Sequence, residues 1–318
     1  MKRVRYRVSV KGLPTPPGSI SFGALRKILD LLADGSERAL RLALEGESVK
    51  TGPVPDWLVR STDFVLTAIR AGSTTLVFDA PTLGEVASEQ ISQPDLWEKV
   101  PAPDETALTV LAKSVADAER EYLDSERYDL GVLDTLLGFK RILAEDNIKI
   151  RLTSVKGRRD SFTLDSDAFQ KIEKIKTSTP EPQATLLTGY LNMIQHSERK
   201  FDLRLENGQT VRGRIDESLI SLEQLRGLWG KKVTIKGILH FAASQKPRLF
   251  EAQVINPRQA GDEILAAVDL PLEIPDVVAK VRKETEHGVV SEIWGKWPGE
   301  ESVQEILGAL RETEPPGQ

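Results

Sequence analysis

Lys200-Phe201-Asp202-Leu203-Arg204-Leu205-Glu206-Asn207-Gly208-Gln209-Thr210-Val211-Arg212-Gly213-Arg214-Ile215 consists of two alternating runs around a turn. Phe201, Leu203 and Leu205 alternate with Asp202 and Arg204, the period of two that marks a half-buried strand. Asn207-Gly208 is the strongest short hairpin signal, because both central residues of such a turn must tolerate positive φ. Val211, Gly213 and Ile215 then alternate with Thr210, Arg212 and Arg214 in a return strand. Upstream, Thr185 to Gln195 is a long strand in which Gly189 permits a sharp bend. Downstream the period changes. Ser221-x-x-Gln224 is a capping box for a short helix through Leu222, Leu225 and Trp229, which Gly230 ends. Val233 to Phe241 directs Val233, Ile235, Gly237, Leu239 and Phe241 to one side, and Arg248 to Ile255 is the fifth strand beyond an Ala242–Pro247 loop.

Three strands, a helix and two strands over residues 183–257 is the order of a small oligonucleotide/oligosaccharide-binding (OB) barrel, with an SH3-like barrel as the rival. This segment holds 11 Lys/Arg against 7 Asp/Glu, a net charge of +4. Arg204, Arg212, Arg214 and Lys236 are expected on its outer face, where phosphate neutralisation would need them. Single-strand binders also stack bases on aromatic rings. Phe201 and Phe241 fall on the apolar face, so Tyr190 and His240 are the remaining platforms. The charges are therefore read first as solvating a protein-binding or structural barrel. A nucleic-acid interface of Arg204, Arg212, Arg214, Lys236 and His240 is the alternative.

At 318 residues, 40% hydrophobic and 29% charged, the composition is that of a globular chain of two or three domains. It has no cysteine, which excludes disulfides and thiolate metal sites and leads to the expectation of a reducing, cytoplasmic setting. No apolar run has the length of a membrane span, and the start Met1-Lys2-Arg3-Val4-Arg5 reads as the approach to a strand rather than a signal peptide. Residues 258–318 carry 6 Lys/Arg against 13 Asp/Glu, an acidic tail of net charge −7. Such a tail is usually solvated or binds a partner.

These features predict a multidomain α+β protein. Residues 1–82 form an N-terminal α+β domain. Val4, Tyr6, Val8 and Val10 alternate with Arg3, Arg5, Arg7 and Ser9 in a solvated edge strand. A helix capped by Ser21, a second helical piece through Ala39, Leu40 and Leu42, a short helix at Trp57-Leu58, and strands at Thr62–Ile69 and Ser73–Asp79 follow. Residues 83–178 form an antiparallel helical pair with its loop near Glu126–Asp129, then a β-hairpin around Gly157-Arg158-Arg159-Asp160 and a helix from Ser166 to Thr177. Thr179-Pro180-Glu181-Pro182 leads into the OB-like barrel (183–257), and residues 258–318 are an acidic partner-binding tail with a short helix.

The tail contains Trp294-Gly295-Lys296-Trp297-Pro298-Gly299-Glu300-Glu301-Ser302. Ser302-x-x-Glu305 begins a helix with Val303, Ile306, Leu307 and Leu310 on one stripe. Glu300 and Glu301 complement the start of its dipole. Two tryptophans beside a turn and an amphipathic helix suit a docking element, since a buried Trp anchor contributes about 2 kcal/mol or more. The competing expectation is that both indoles fill the protein's own core.

The Gly295–Glu301 run, ending in an acidic amphipathic helix, resembles the C-terminal segments of antitoxins that accompany PIN-domain ribonuclease toxins. Trp57-Leu58 and Arg70-Ala71-Gly72-Ser73-Thr74 are similar to uncharacterised bacterial proteins of this layout. The resemblance implies a tail that wraps a toxin and blocks its carboxylate-and-magnesium site, with Lys296 among those carboxylates and Trp294 and Trp297 as anchors. Antitoxins of that kind are shorter and carry a small DNA-binding dimerisation domain, from which this chain departs.

No P-loop, nucleophile elbow or glycine fingerprint is present, and no catalytic residue or cofactor is expected. His196, His240 and His287 are scattered, so no histidine-based metal cluster is expected either. Arg282 and His287 have the spacing of HEPN ribonucleases, but Pro275 and Gly288 interrupt the long helix that motif needs, and chance explains so short a pattern. The expected function is non-enzymatic capture of a protein partner.

Overall fold

The computed structural model describes residues 2–13, 15–16, 18–70, 74–92, 100–142, 149–154, 157–195, 200–215 and 227–258. The Ser221 capping box and every tail residue named above lie outside them. The chain has both helices and strands, including a closed five-stranded barrel, and residues 1–268 make one compact unit.

The first half of that unit is a five-stranded sheet covered by helices. β1 (Arg3–Lys11) stands at its centre, between β3 (Thr74–Pro81) and β4 (Lys149–Ser154), with β2 (Val65–Arg70) and β5 (Gly157–Leu164) at the edges. Both neighbours of β1 are antiparallel, with Val8 opposite Leu76 on one side and Leu152 on the other. The expected edge strand is thus the middle strand. Its alternation is real, since Val4, Tyr6, Val8 and Val10 are buried. Two of its arginines, however, are held by acids of the neighbouring segments: Arg3 reaches Asp63 at 3.1 Å, and Arg5 makes a bidentate pair with Asp79 at 2.8 and 3.0 Å.

Because β4 pairs with β1 and β5 with β4, the boundary placed at residues 82/83 is corrected. Residues 1–82 and 83–178 share one sheet and one hydrophobic core, which runs from Val4 to Ile175 and includes Leu111, Phe139 and Phe169. Periodicity marks the strands but says nothing about which of them pair. Helix α1 (Phe22–Glu45) starts on the Ser21 hydroxyl, which accepts from the Ala24 N–H at 3.2 Å. It is one continuous 24-residue helix rather than two pieces. Gly35 and Ser36, which look like an interruption, are buried in it, and a Cβ at Gly35 would stand 3.4 Å from Leu111 and 3.5 Å from Thr135. Small side chains there allow close packing against α5 (Ala107–Glu119) and α6 (Leu130–Ile142), which are expected to pair with one another but pack instead on α1 and on the helix at Ser166–Ser178.

Between these lie α2 (Asp56–Ser61), α3 (Leu83–Val86) and α4 (Ser88–Ser92). Tyr6 connects sheet to helices: its hydroxyl is 2.7 Å from Thr106 Oγ1 and 3.0 Å from Thr109 Oγ1 in the capping box that opens α5. α7 (Ser166–Ser178) is capped by Asp165, which accepts from the Ala168 N–H.

The barrel consists of β6 (Gln183–Gln195), β7 (Lys200–Leu205), β8 (Thr210–Ile215), β9 (Lys232–Phe241) and β10 (Pro247–Pro257). β6 pairs with β7 and β9, β7 with β8, and β9 with β10, all antiparallel; β8 and β10 are parallel and close the ring. This order is compatible with an OB barrel. The alternation read from sequence fills the interior, where Phe201, Leu203, Val211, Val233, Ile235, Leu239 and Phe250 are buried. Gly189 serves close approach, since a Cβ there would stand 2.6 Å from the Arg204 carbonyl oxygen.

The β7–β8 turn differs from expectation. Among the described residues only Gly208 of the pair has positive φ, 84°. The Gly208 N–H donates to the Leu205 carbonyl at 3.0 Å, and the Asn207 side chain accepts from the Gln209 N–H at 2.9 Å. This is a three-residue loop in which glycine supplies the left-handed position.

Candidate functional site

β7 and β8, the second and third strands of the barrel, carry the ligand face in OB folds. Here that face looks onto the C-terminal end of α1 and the 117–127 turn, and between them lies a cleft of about 650 Å³. Its walls include Leu42, Tyr122, Phe201 and Leu249, with Arg120, Arg127 and Asp202 at polar positions.

Charge organises the seam around the cleft. The last turn of α1 contains no basic residue, so its exposed carbonyls and the negative end of its dipole are unanswered from within the helix. The barrel answers them. Arg214 Nη1 donates to the Glu45 carbonyl, and Arg248 Nη1 donates to the Gly46 carbonyl at 2.8 Å. Gly46 itself is the left-handed cap, with φ of 80° and its N–H on the Leu42 carbonyl. Arg248 also approaches Asp129 at 3.7 Å, and its side chain is only 9% exposed.

The 117–127 turn holds the barrel from the other side. Arg212 pairs with Glu126 at 2.8 Å. Asp124 accepts from Lys246 at 2.8 Å and from the Ser244 hydroxyl, and these two bonds, Lys246 first, hold its carboxyl below the usual range. Ala243, in the β9–β10 loop, is buried in the core of the first half. Burial pushes the Asp202 carboxyl up, partly opposed by Arg212.

Beside the cleft, three further groups meet. Glu47 from the loop after α1, His240 of β9 and Glu251 of β10 bring one ligand atom each to within 4.8 Å of one another. His240 Nε2 is 3.4 Å from Glu251 Oε2, and that contact, more than any other, lowers the Glu251 carboxyl. Glu47 is 6% exposed, and its carboxyl is raised, first by burial and then by the facing Glu251. The partners of His240 are carboxylates from distant segments, which its scattered place in the sequence does not record.

The residues expected to form a nucleic-acid face are thus divided. Arg212, Arg214 and His240 face other parts of the chain. Arg204 and Lys236 are exposed on the barrel's outer surface. Near them Tyr190, in register with both Arg204 and Lys232, is 47% exposed, with the Lys232 ammonium 5.6 Å from its ring centroid. Trp229 is 67% exposed and donates its indole N–H to the Asn192 carbonyl at 3.1 Å. Sequence reading missed Glu47, Glu251, Arg248, Asp124 and Glu126, none of which has a local motif. The signal available was the helix α1 end, which lacks a basic residue and ends in glycine.

Among the described residues no helix is long and apolar enough to cross a membrane. No protein-family model and no curated protein matches the chain.

Proposed function

We propose that the chain is a non-enzymatic, cytoplasmic binding protein, with an OB-type barrel used as a structural arm and an antitoxin-like tail used for capture. The observation supporting this reading is the engagement of the β7–β8 face within the chain, through Arg212 to Glu126 and Arg214 to the Glu45 carbonyl. A barrel whose ligand strands face its own body is suited to presenting other segments. Capture then belongs to Trp294, Lys296 and Trp297, the acidic Glu300 and Glu301, and the stripe Ile306, Leu307 and Leu310. The partner class follows the resemblance: a PIN-type ribonuclease toxin. The test is co-expression of the full chain, and of a chain ending at residue 258, with a PIN-fold ribonuclease encoded beside it. Co-purification and inhibited RNA cleavage with the full chain alone support the reading. Equal binding by the shortened chain, or a neighbourhood without such a ribonuclease, overturns it.

A second reading, single-stranded nucleic-acid binding, is favoured by the outer surface where Tyr190 and Trp229 are exposed beside Arg204, Lys232 and Lys236. Stacking on such rings contributes about 1–3 kcal/mol per base. It requires salt-dependent binding of a labelled single strand that weakens on Trp229→Ala and on joint replacement of Arg204 and Lys236. No binding at low salt removes it.

A further inference from the structure

We propose that Glu47, His240 and Glu251 form a site for a divalent transition-metal ion of the zinc or manganese class, joining the loop after α1 to the barrel. Two carboxylates and one imidazole are the borderline oxygen and nitrogen donors that such ions take, with further positions left for water. The three donors come from separate segments, and their ligand atoms already lie within 4.8 Å of one another. Metal–ligand bonds of about 2.0–2.2 Å place neighbouring tetrahedral ligands about 3.4 Å apart. His240 and Glu251 are at that spacing, and a displacement of the Glu47 carboxylate by at most about 1.4 Å completes the set.

Glu47 is the second, independent sign. It is 6% exposed, and among the described residues no hydrogen bond or ion pair meets its carboxylate. A buried carboxylate facing a second carboxylate is unfavourable unless something positive stands between them. The chain's own cations acting on Glu47 are Arg214, which is bonded to the Glu45 carbonyl, Lys50, which is exposed, and His240. A divalent ion would answer both carboxylates at once and leave the imidazole neutral as a ligand. It would act as a clamp: Glu47 belongs to the segment that caps α1, and His240 and Glu251 belong to the two strands flanking the loop that carries Ala243.

The experiment uses the full chain, stripped with a chelator and titrated separately with Zn²⁺ and Mn²⁺ by calorimetry near neutral pH, with melting followed in parallel. One ion per chain and a rise in melting temperature of about 3 °C or more are expected at saturation. Glu47→Gln and His240→Gln are each expected to weaken binding at least about tenfold and to abolish the rise. Glu181→Gln, on an exposed residue outside the set, is expected to leave both intact. Glu47→Gln also tests the fold, because removing the buried charge without metal should hold or raise the melting temperature, so this variant decides even if His240→Gln fails to fold. Absence of uptake, or uptake unchanged in Glu47→Gln, overturns the site and leaves Glu47 as a buried carboxyl beside a His240–Glu251 pair.

Discussion

Arg248, on the last strand of the barrel, donates to the carbonyl of Gly46, the left-handed residue that ends α1 some 202 positions earlier. A charged donor from one half of the unit thereby finishes a helix in the other. Arg248→Ala removes a largely buried charged hydrogen bond and is expected to cost about 1.5–3 kcal/mol. Arg248→Lys should recover only part, because an ammonium lacks the fork that reaches Gly46 and Asp129 together. Urea unfolding with an unchanged m-value checks both. Arg212→Ala, by contrast, breaks an exposed pair with Glu126 and should cost no more than about 1 kcal/mol.

Tyr6 is fully buried, and its hydroxyl meets Thr106 and Thr109 at the start of α5. Tyr6→Phe keeps the ring and removes the bridge between sheet and helix. The expected loss is about 1–2 kcal/mol, since the two threonine hydroxyls lose a shared partner in the interior. Thermal or denaturant unfolding measures it, and a neutral outcome would show that the hydroxyls satisfy one another.

Gly213 on β8 lies under the Phe201 ring, and a Cβ there would overlap that ring. Gly213→Ala is expected to destabilise by about 1–3 kcal/mol through overpacking. Gly227→Ala is the matched control, because no atom of the described residues lies within 4 Å of a Cβ at that position. If both variants melt alike, the barrel interior is looser than its packing implies.

Asp165 caps α7 and receives Lys149 Nζ at 2.9 Å, and that bond, ahead of the cap, holds its carboxyl below the usual range. Its contribution is therefore present above the ordinary carboxylate pKa of about 3.9 and lost as pH falls through the lower folded value. Asp165→Ala should cost about 1 kcal/mol at neutral pH, less a partial relief of Glu119, whose carboxyl is raised first by burial and then by Asp165. Asp165→Asn keeps the cap and should cost a few tenths of that figure. The gap between wild type and Asp165→Ala should close in strongly acid solution, as followed by urea midpoints across pH.

Much of the architecture was legible along the chain. The period of two in Phe201–Leu205 and Val211–Ile215, the Asn207-Gly208 turn, the cap at Ser21 and the helix from Ser166 are local signals, each written within a few residues. They marked the strands, the starts of α1 and α7 and the order of strands in the barrel. What they left open was pairing and docking. The central place of β1, the union of β4 and β5 with the first sheet, the capture of Gly46 by Arg248 and the meeting of Glu47, His240 and Glu251 join residues far apart in the chain. Such contacts arise only when segments distant in the chain pack together, and no periodicity records them, because a charge has the same local pattern whether it faces solvent or the end of a distant helix.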